Sequence, residues 1–397
     1  MTDGPTPPTE RIVSLDALRG VAVLGILVIN VRVFSMPEVT LLNPTAYGGF
    51  TGVDYWAWLL GHVFAELKFI TVFSALFGAG TVLFVEKRRR SEDPAMVYHY
   101  RRTAWLLVIG LGHAYLLWYG DILVAYALCG LVIVLFVDTP ARTLAGVGVV
   151  LLLVPSLTEL AVGLAGGGAA IADQWAPAES VLQSEIATYR RGWIEQLSHR
   201  VPTAFERQTS GFLGQTFWRV GGTMLLGMAL YRWGVFTGER STRLYRLLVA
   251  GGAVGVGVVL LGVRYIEAAD WSADAALIWR QFNYWASLLV AGGYVGLVTL
   301  YARWRPGGPL TRAFAAVGRT AFTNYLLQTV VATTVFYGHG LGLFGRVGRA
   351  EALGMVVAFW AVQISLSVLW LRFFRFGPVE WLWRTLTYRE FQPLVRS

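Results

Sequence analysis

The sequence has little charge, almost no cysteine and none of the short motifs typical of soluble cofactor sites. Charged residues make up 14% of its 397 residues, whereas soluble domains carry about 25%, so the composition excludes an ordinary soluble protein. The one cysteine, Cys129, lies in an apolar run, which excludes an intrachain disulfide framework and a cysteine metal cluster. The HExxH and P-loop motifs do not occur in the sequence, and no GxGxxG motif follows a predicted strand, as the Rossmann fold requires. No metal or soluble-type nucleotide site is therefore predicted.

What the sequence does contain is a series of apolar runs of membrane-spanning length. Hydrophobic residues make up 55% of the chain, and runs of about 20 residues, enough to cross a bilayer as a helix, recur from end to end. The pattern predicts an all-α fold, a polytopic membrane helix bundle with about ten transmembrane helices. The predicted helices are 14–36, 55–86, 102–118, 121–138, 142–166, 213–233, 245–265, 281–303, 312–337 and 352–374.

Lysine and arginine are concentrated in the loops of one side, which predicts the orientation of the chain. These loops follow the second, sixth and eighth helices, and the C-terminal tail is also rich in arginine. Both termini are therefore expected in the cytoplasm and the protein in the cell membrane, and no cleavable signal peptide is evident. The expected divisions are a cytoplasmic tail (1–13), helices one to five (14–166), an extracytoplasmic amphipathic loop (167–212), helices six to ten (213–374) and a second cytoplasmic tail (375–397).

The first helix carries three polar residues that apolar spans normally avoid. Asp16 and Arg19 are three residues apart, and Asn30 lies within roughly 20° of the direction of Arg19 at 3.6 residues per turn. Charged groups in hydrocarbon cost about 2.5–3.5 kcal/mol each and need partners or a wet cavity. The stripe predicts a cavity wall. The alternative is an Asp16–Arg19 pair at the helix start, with Asn30 bridging two helices.

Two further positions combine a histidine with a carboxylate. On the second helix, His62 and Glu66 are four residues apart, so the carboxylate can orient the imidazole, and Lys68 follows. The alternative is an interfacial histidine beside a Glu66–Lys68 pair. His113 lies in the third helix, almost two turns before the outer turn, and Asp121 begins the fourth, where an acidic residue also favours the helix dipole. Neutral histidine suits general-base chemistry near pH 7, so both pairs are candidates for catalysis.

One polar stripe also runs along the ninth helix. Thr320, Asn324 and Gln328 recur every four residues, and Arg319 lies at the cytoplasmic end. A cavity wall is one interpretation. Hydrogen bonds between helices are the other, because amide side chains also bridge membrane helices.

Five motifs in order resemble one family. They are "RIVSLDALRGVAVLGILVIN", "KFITVFSALFGAG", "GHAYLLWYGDILVAYALCG", "GRTAFTNYLLQ" and "FGPVEWLWRTLTY". From about Arg11 to Tyr388 the chain resembles the YeiB family (domain of unknown function 418), described loosely as transport-related. Its first-helix pattern, LDxLRG with a polar residue at the far end, is similar to acyltransferase family 3 and the heparan-alpha-glucosaminide N-acetyltransferases. Those enzymes are proposed to move an acyl group from cytoplasmic acyl-CoA to a glycan across the membrane.

The resemblance implies that Arg19 helps to hold acyl-CoA as a co-substrate. Acyltransferase family 3 typically carries its catalytic histidine at the position that Asn30 occupies here, so a histidine base would have to be His62 or His113. Of the two, His113 is the preferred candidate, helped by Asp121 or Glu66.

Two functions are therefore predicted as alternatives. The first is an integral membrane acyltransferase that moves an acyl group from cytoplasmic acyl-CoA to an extracytoplasmic glycan-like or small-molecule acceptor. The second is a multi-pass transporter or permease for a small polar solute, whose histidines relay protons. Expected partners are membrane lipids, acyl-CoA and the acceptor, with a homodimer as one option and no nucleic acid. The candidate residues are His113, Asp121, His62, Glu66 and Asn30 for catalysis, Asp16, Arg19 and Arg319 for the cofactor, and Lys68, Asn324 and Gln328 for the cavity wall.

Overall fold

The computed structural model describes residues 12–396, and within that range the chain is helical and forms no strand. The all-α prediction is therefore confirmed. The predicted tail 1–13 lies almost wholly outside the described residues. The helices are α1 (Val13–Ser35), α2 (Gly52–Phe64), α3 (Lys68–Arg90), α4 (Ala95–Gly112), α5 (Leu123–Ile133), α6 (Ala141–Leu164), α7 (Ala172–Trp175), α8 (Glu179–Tyr189), α9 (Leu197–Gln208), α10 (Phe217–Arg232), α11 (Thr242–Ala268), α12 (Ala273–Trp304), α13 (Pro309–Arg319), α14 (Ala321–Phe336), α15 (Arg349–Phe373) and α16 (Pro378–Tyr388).

Several helices have the length and composition of membrane spans. A helix needs about 20 mostly apolar residues to cross the hydrocarbon core. Large apolar side chains such as Val254 on α11 and Val357 on α15 are more than half exposed on the outside of the bundle, as lipid contact would favour. Within the described residues, the stretches long and apolar enough to cross a membrane are Val13–Ser35, Gly52–Arg90, Ala141–Leu164, Thr242–Ala268, Ala273–Trp304 and Arg349–Phe373.

Two of the helices predicted as continuous are interrupted. The predicted helix 55–86 is divided into α2 and α3 at residues 65–67, where Leu67 adopts a left-handed backbone with φ 66°. The predicted helix 312–337 is divided at Thr320, between α13 and α14. Backbone groups freed by such a break need other partners. The Glu380 carboxylate of α16 supplies them for α14, accepting the backbone N–H groups of Phe322 at 2.7 Å and Thr323 at 3.1 Å.

The segment predicted as the second tail, 375–397, is folded onto the bundle through α16. Trp383 donates its indole N–H to the carbonyl of Arg102 at 2.8 Å, and Arg101 donates to the carbonyl of Thr387 at 3.1 Å. Both contacts join α16 to α4. The tail therefore forms part of the same face of the bundle as the beginning of α1.

Glycine permits the close approach of α3 and α10. The sequence motif SALFGAG predicts close helix contacts at Gly78 and Gly80. A side chain on Gly78 would meet the backbone of Met224 on α10, and one on Gly227 of α10 would meet the backbone of Ala75. The prediction is confirmed at Gly78 and wrong at Gly80, which has open space around it because it borders a cavity.

Replacing Gly78 by alanine is expected to destabilise the bundle, and Gly80→Ala is the matched control. The added methyl group at Gly78 would push apart two helix backbones, at a cost of about 1–3 kcal/mol. Thermal denaturation of both variants in detergent, followed by the loss of monodisperse protein, measures the difference. Equal melting temperatures for the two variants would contradict the packing described for α3 and α10.

The extramembrane segment predicted at 167–212 folds into α7, α8 and α9 and packs on the face opposite the beginning of α1. Asn43, which follows α1, donates its side-chain amide to the carbonyl of Trp175 at 3.0 Å. Arg200 of α9 donates to the carbonyl of Tyr115 at 3.0 Å. The segment thus forms a cap over the far ends of the helices.

The cap contains a carboxyl group whose ionisation is expected to affect stability. The Glu38 backbone N–H donates to the Glu185 carboxylate at 3.0 Å, and burial together with the Glu38 carboxylate raises the pKa of Glu185 from 4.5 to about 7. Between these two values the folded state binds more protons than the unfolded state, so stability falls as pH rises.

Hydrogen exchange of residues 179–208 tests this. After correction for intrinsic exchange rates, we expect weaker protection at about pH 8 than at about pH 5. In Glu185→Gln, whose amide oxygen can still accept the Glu38 N–H, the difference should be smaller. Equal protection of the wild-type segment at both pH values would contradict the prediction.

Candidate functional site

Two cavities of similar size lie between the helices. The first has a volume of about 270 Å³ and is named the Glu66 cavity. The second has a volume of about 240 Å³ and is named the Arg19 cavity. The polar residues that line the Glu66 cavity are Glu66, Thr71, Ser74, Glu159, Gln215, Thr216, Arg219, Thr223, Arg280, Asn283 and Tyr284. The charged and aromatic residues that line the Arg19 cavity are Arg19, Phe73, Phe77, Arg102, Tyr126, Arg319, Phe322, Tyr325, Glu380 and Trp383.

The cavities lie toward opposite ends of the bundle and meet near its middle. The Arg19 cavity includes Arg19, near the beginning of α1. The Glu66 cavity includes Glu159, near the end of α6, at the other end of the bundle. Ile122 lines both cavities. Beside it, the hydroxyl groups of Ser74, in the Glu66 cavity, and Tyr126, in the Arg19 cavity, are hydrogen-bonded at 2.7 Å. A wall of single side chains therefore separates the two spaces.

The break between α2 and α3 brings three predicted residues together beside the Glu66 cavity, and of the three only Glu66 lines it. His62 lines an adjoining space of about 20 Å³, whose wall shares Glu66 and Arg280 with the cavity. His62 Nδ1 lies 3.0 Å from Glu66 Oε2, so the contact predicted between them is present. The His62 ring stacks on Trp58, with centroids 5.0 Å apart, and its Nε2 makes no hydrogen bond to a described residue. Since one nitrogen is held by a carboxylate and the other is not engaged, the geometry is that of an oriented base.

Lys68 stabilises the same break from inside the protein. Its ammonium group donates to the carbonyl of His62 at 2.6 Å and to the side-chain oxygen of Asn283 on α12. Lys68 is 0% exposed, so it lies behind the cavity and does not form its wall as expected. Its role in this geometry is to fix the backbone that carries His62.

Arg32, at the far end of α1, completes this cluster. Its guanidinium group donates to Glu66 Oε2 at 3.5 Å and to the carbonyl of Trp58 at 2.7 Å. Asn30, the residue predicted for this end of α1, makes no side-chain hydrogen bond to a described residue. Residues two apart on a helix point about 200° away from each other, so Asn30 faces away from the cluster that Arg32 enters.

His113 and Asp121 form a second pair, deep in the protein. His113 Nδ1 lies 2.7 Å from Asp121 Oδ1, and Nε2 lies 2.9 Å from the hydroxyl of Thr329 on α14. Both side chains are 1% exposed. The predicted contact is present, but both ring nitrogens are occupied and neither residue is among those that line the two cavities. This arrangement joins helices and leaves no nitrogen facing a ligand.

The amides of the ninth predicted helix also join helices. Asn324 donates to the hydroxyls of Thr320 at 2.9 Å and Ser367 at 3.0 Å. Gln328 donates to the carbonyl of Val23 on α1 at 3.1 Å. Asn324 and Gln328 are 3% and 2% exposed and are not among the residues that line either cavity. Of the two interpretations of this stripe, the contacts favour hydrogen bonding between helices.

The three residues predicted for the cofactor lie at the end of the bundle where α1 begins. Asp16 and Arg19 form an ion pair at 3.0 Å, and the Arg19 side chain is one-third exposed. Arg19 and Arg319 both line the Arg19 cavity, where Arg102 joins them. The cavity therefore combines several guanidinium groups with an apolar, aromatic interior, a combination that suits an anionic head group with an apolar or flexible tail.

Sequence reasoning missed several charged residues of this site. The residues that were not predicted are Arg32, Glu159, Arg219 and Glu380, although each interrupts or borders an apolar run. The same signal, a charge where lipid-facing residues are expected, pointed to Asp16 and Arg19. Only the three-dimensional arrangement shows which of these charges meet.

Fold and cavities together define an all-helical protein of the membrane type, with buried polar cavities between its helices. The family profile described as "Protein of unknown function (DUF418)" matches residues 230–390. The chain is 38% identical to the "Uncharacterized protein YeiB" of Escherichia coli (strain K12), over 97% of this chain and 98% of that protein. It is 34% identical to the "Uncharacterized protein YxaH" of Bacillus subtilis (strain 168), over 99% and 98% of the two chains. The chain belongs to the DUF418 family, together with YeiB and YxaH.

Proposed function

We propose that this protein is a membrane acyltransferase that binds acyl-CoA in the Arg19 cavity and an acceptor in the Glu66 cavity. The observation that carries the proposal is the single wall residue, Ile122, that the two cavities share. An acyl group held at the end of one cavity is thereby close to an acceptor held in the other, without a continuous pore. Proximity of this kind supplies a large part of the rate of a group transfer.

The donor side is supported by charge and shape. Arg19, Arg102 and Arg319 would bind the phosphate groups of acyl-CoA, because a guanidinium group offers a planar fork of donors suited to phosphate. Asp16 holds the Arg19 side chain in place. The apolar depth of the cavity, between Phe73 and Tyr126, would take the pantetheine arm and direct the thioester toward Ile122.

The acceptor side is supported by the His62–Glu66 pair. His62 adjoins the cavity through Glu66 and Arg280, which line both the cavity and the small space at His62. From there it would take the proton from an acceptor hydroxyl or amine as it attacks the thioester carbonyl, and the Glu66 carboxylate would stabilise the imidazolium that forms. The tetrahedral intermediate then collapses with loss of the CoA thiolate, which takes the proton from the His62 imidazolium and returns the base to its neutral form. His62 replaces His113 as the preferred base because His62 Nε2 is not engaged, whereas both nitrogens of His113 are.

The arrangement in the membrane follows the positive charges. We propose about ten spans, in which shorter helices such as Leu123–Phe136 supplement the six long stretches. Both termini and the Arg19 cavity would face the cytoplasm, where acyl-CoA is found, and the cap formed by α7–α9 would be extracytoplasmic. Calorimetric titration of acetyl-CoA into the detergent-purified protein tests the proposal. We expect saturable binding, and its absence would reject the donor site.

A transporter for a small polar solute is the second candidate. The same thin wall at Ile122 favours it, because two cavities at opposite ends of a bundle resemble the two access routes to a transported solute. The break between α2 and α3 adds a discontinuous helix at the site. A transporter would carry its solute without binding acetyl-CoA.

A further inference from the structure

The side chains at the Glu66 cavity carry more positive than negative charge. Arg219 and Arg280 line it together with Glu66 and Glu159. Two further cations, Arg32 and Lys68, are bonded to the cavity residues from behind. The cluster therefore contains four basic side chains and two carboxylates, and His62 does not supply a negative charge in either protonation state.

The hydrogen bonds show which cations are left without a carboxylate. Arg32 pairs with Glu66, whereas Lys68 donates only to neutral oxygens, those of His62 and Asn283. Glu159 pairs with neither arginine of the cavity, because its two oxygens accept the side-chain amides of Gln215 at 2.8 Å and Gln281 at 2.9 Å.

Neither arginine of the cavity wall forms a direct ion pair with a described carboxylate, although Glu159 lies within electrostatic range of Arg219 and Glu66 within range of Arg280. Arg219 donates to the carbonyl of Tyr284 at 3.4 Å and to the hydroxyls of Thr71 at 3.2 Å and Ser287 at 2.7 Å, all of them neutral. Its Nε is buried without a hydrogen-bond partner. Arg280 makes no side-chain hydrogen bond to a described residue. Both arginines are partly buried between helices, and cations in such a place are costly unless an anion accompanies them.

We infer that the ligand of the Glu66 cavity is an anionic sugar or polyol, bearing a carboxylate or phosphate that Arg280 and Arg219 bind. The amides of Gln215 and Asn283 and the hydroxyl of Thr216, all in the wall, are suited to the neutral hydroxyl groups of such a molecule. A volume of about 270 Å³ is near the lower end of small-molecule sites, so the cavity takes one sugar-sized unit. That this ligand is the acyl acceptor rests on the proposed function; its charge does not.

Thermal shift measurements with three probes test the inference. Purified full-length protein is titrated with glucuronate, glucose 6-phosphate and glucose, at millimolar concentration and constant ionic strength. We expect stabilisation by glucuronate or glucose 6-phosphate and none by glucose. In Arg280→Gln the dissociation constant should rise about tenfold or more, because a charge-assisted bond is lost. Since the Arg280 side chain makes no hydrogen bond to a described residue, this variant is expected to fold.

Two control variants distinguish the loss of a charge at the site from a general loss of folding. Arg264→Gln removes an exposed arginine of α11 and should bind the anionic probes as the wild type does. Arg219→Lys keeps the charge and should retain part of the affinity. A wild type that responds to no anionic probe, or that responds equally to glucose, overturns the inference. So does unchanged binding in a monodisperse Arg280→Gln.

Acetyl-CoA titrated into the same samples distinguishes the two proposals. Binding of both acetyl-CoA and an anionic sugar supports an acyltransferase with an anionic acceptor. Binding of the anionic sugar without acetyl-CoA supports the charge of the ligand but rejects the acyltransferase in favour of a transporter for anionic solutes. Binding of acetyl-CoA alone leaves the donor site in place and overturns the anionic acceptor.

Discussion

His62→Phe is expected to reduce acyl transfer about 10²–10⁴-fold, the usual contribution of a general base. Phenylalanine keeps the stacking on Trp58 but removes the ring nitrogens. The backbone carbonyl of residue 62, which accepts the Lys68 ammonium group, is unchanged, so the break between α2 and α3 should persist. The assay follows label from radiolabelled acetyl-CoA into an envelope extract that supplies the acceptor.

The controls for this experiment are two other buried histidines. His99→Gln replaces a histidine that bonds to the carbonyl of Gly130 and the hydroxyl of Thr103. Unlike His62, His99 is not bonded to a residue that lines the Glu66 cavity, so transfer should continue. His113→Gln disrupts the contacts to Asp121 and Thr329 and should lower the melting temperature more than His62→Phe does. Acetyl-CoA binding should be equal in wild type and His62→Phe. Normal transfer by His62→Phe would exclude His62 as the base.

Much of the fold could be predicted because an apolar run long enough to cross a bilayer must satisfy its backbone hydrogen bonds internally, which favours a helix. The interruptions were harder to predict. Leu67 and Thr320 have no proline beside them, and the charged residues next to them, Glu66 and Lys68 in one case and Arg319 in the other, do not by themselves end a helix. Their cause is tertiary: Lys68 bonds back across one break, and Glu380, 60 positions beyond Thr320 in the numbering, caps the helix after the other. Contacts between residues so far apart in the sequence leave no signal in its local pattern of apolar and polar residues.

From the sequence, only contacts between site residues close together in the chain could be predicted. Spacing of four residues identified the His62–Glu66 contact because the helix geometry there is local. Spacing could not tell that Arg32, and not Asn30, reaches Glu66, since that depends on which side of α1 faces α2. Nor could it separate Asn324, which binds Ser367 on α15, from a residue that faces a cavity. Polar stripes look the same in both cases.

Arg19 is the residue on which the donor site depends most. It lines its cavity beside Arg102 and Arg319 and is held by Asp16 at 3.0 Å. Replacing Arg19 by glutamine removes a charged donor from the phosphate site and should weaken acyl-CoA binding about tenfold or more. Asp16 remains in contact with solvent, its side chain being 19% exposed, so the loss of its partner should be tolerated.

The most direct measurement is calorimetric titration of acetyl-CoA into purified wild type, Arg19→Gln and Arg312→Gln, each checked for monodispersity. Arg312 is an exposed arginine of α13 at the same end of the bundle, outside the cavity lining. The acyltransferase account predicts saturable binding by wild type and Arg312→Gln, and at least about tenfold weaker binding by Arg19→Gln. No binding by the wild type, or equal binding by all three proteins, would contradict it.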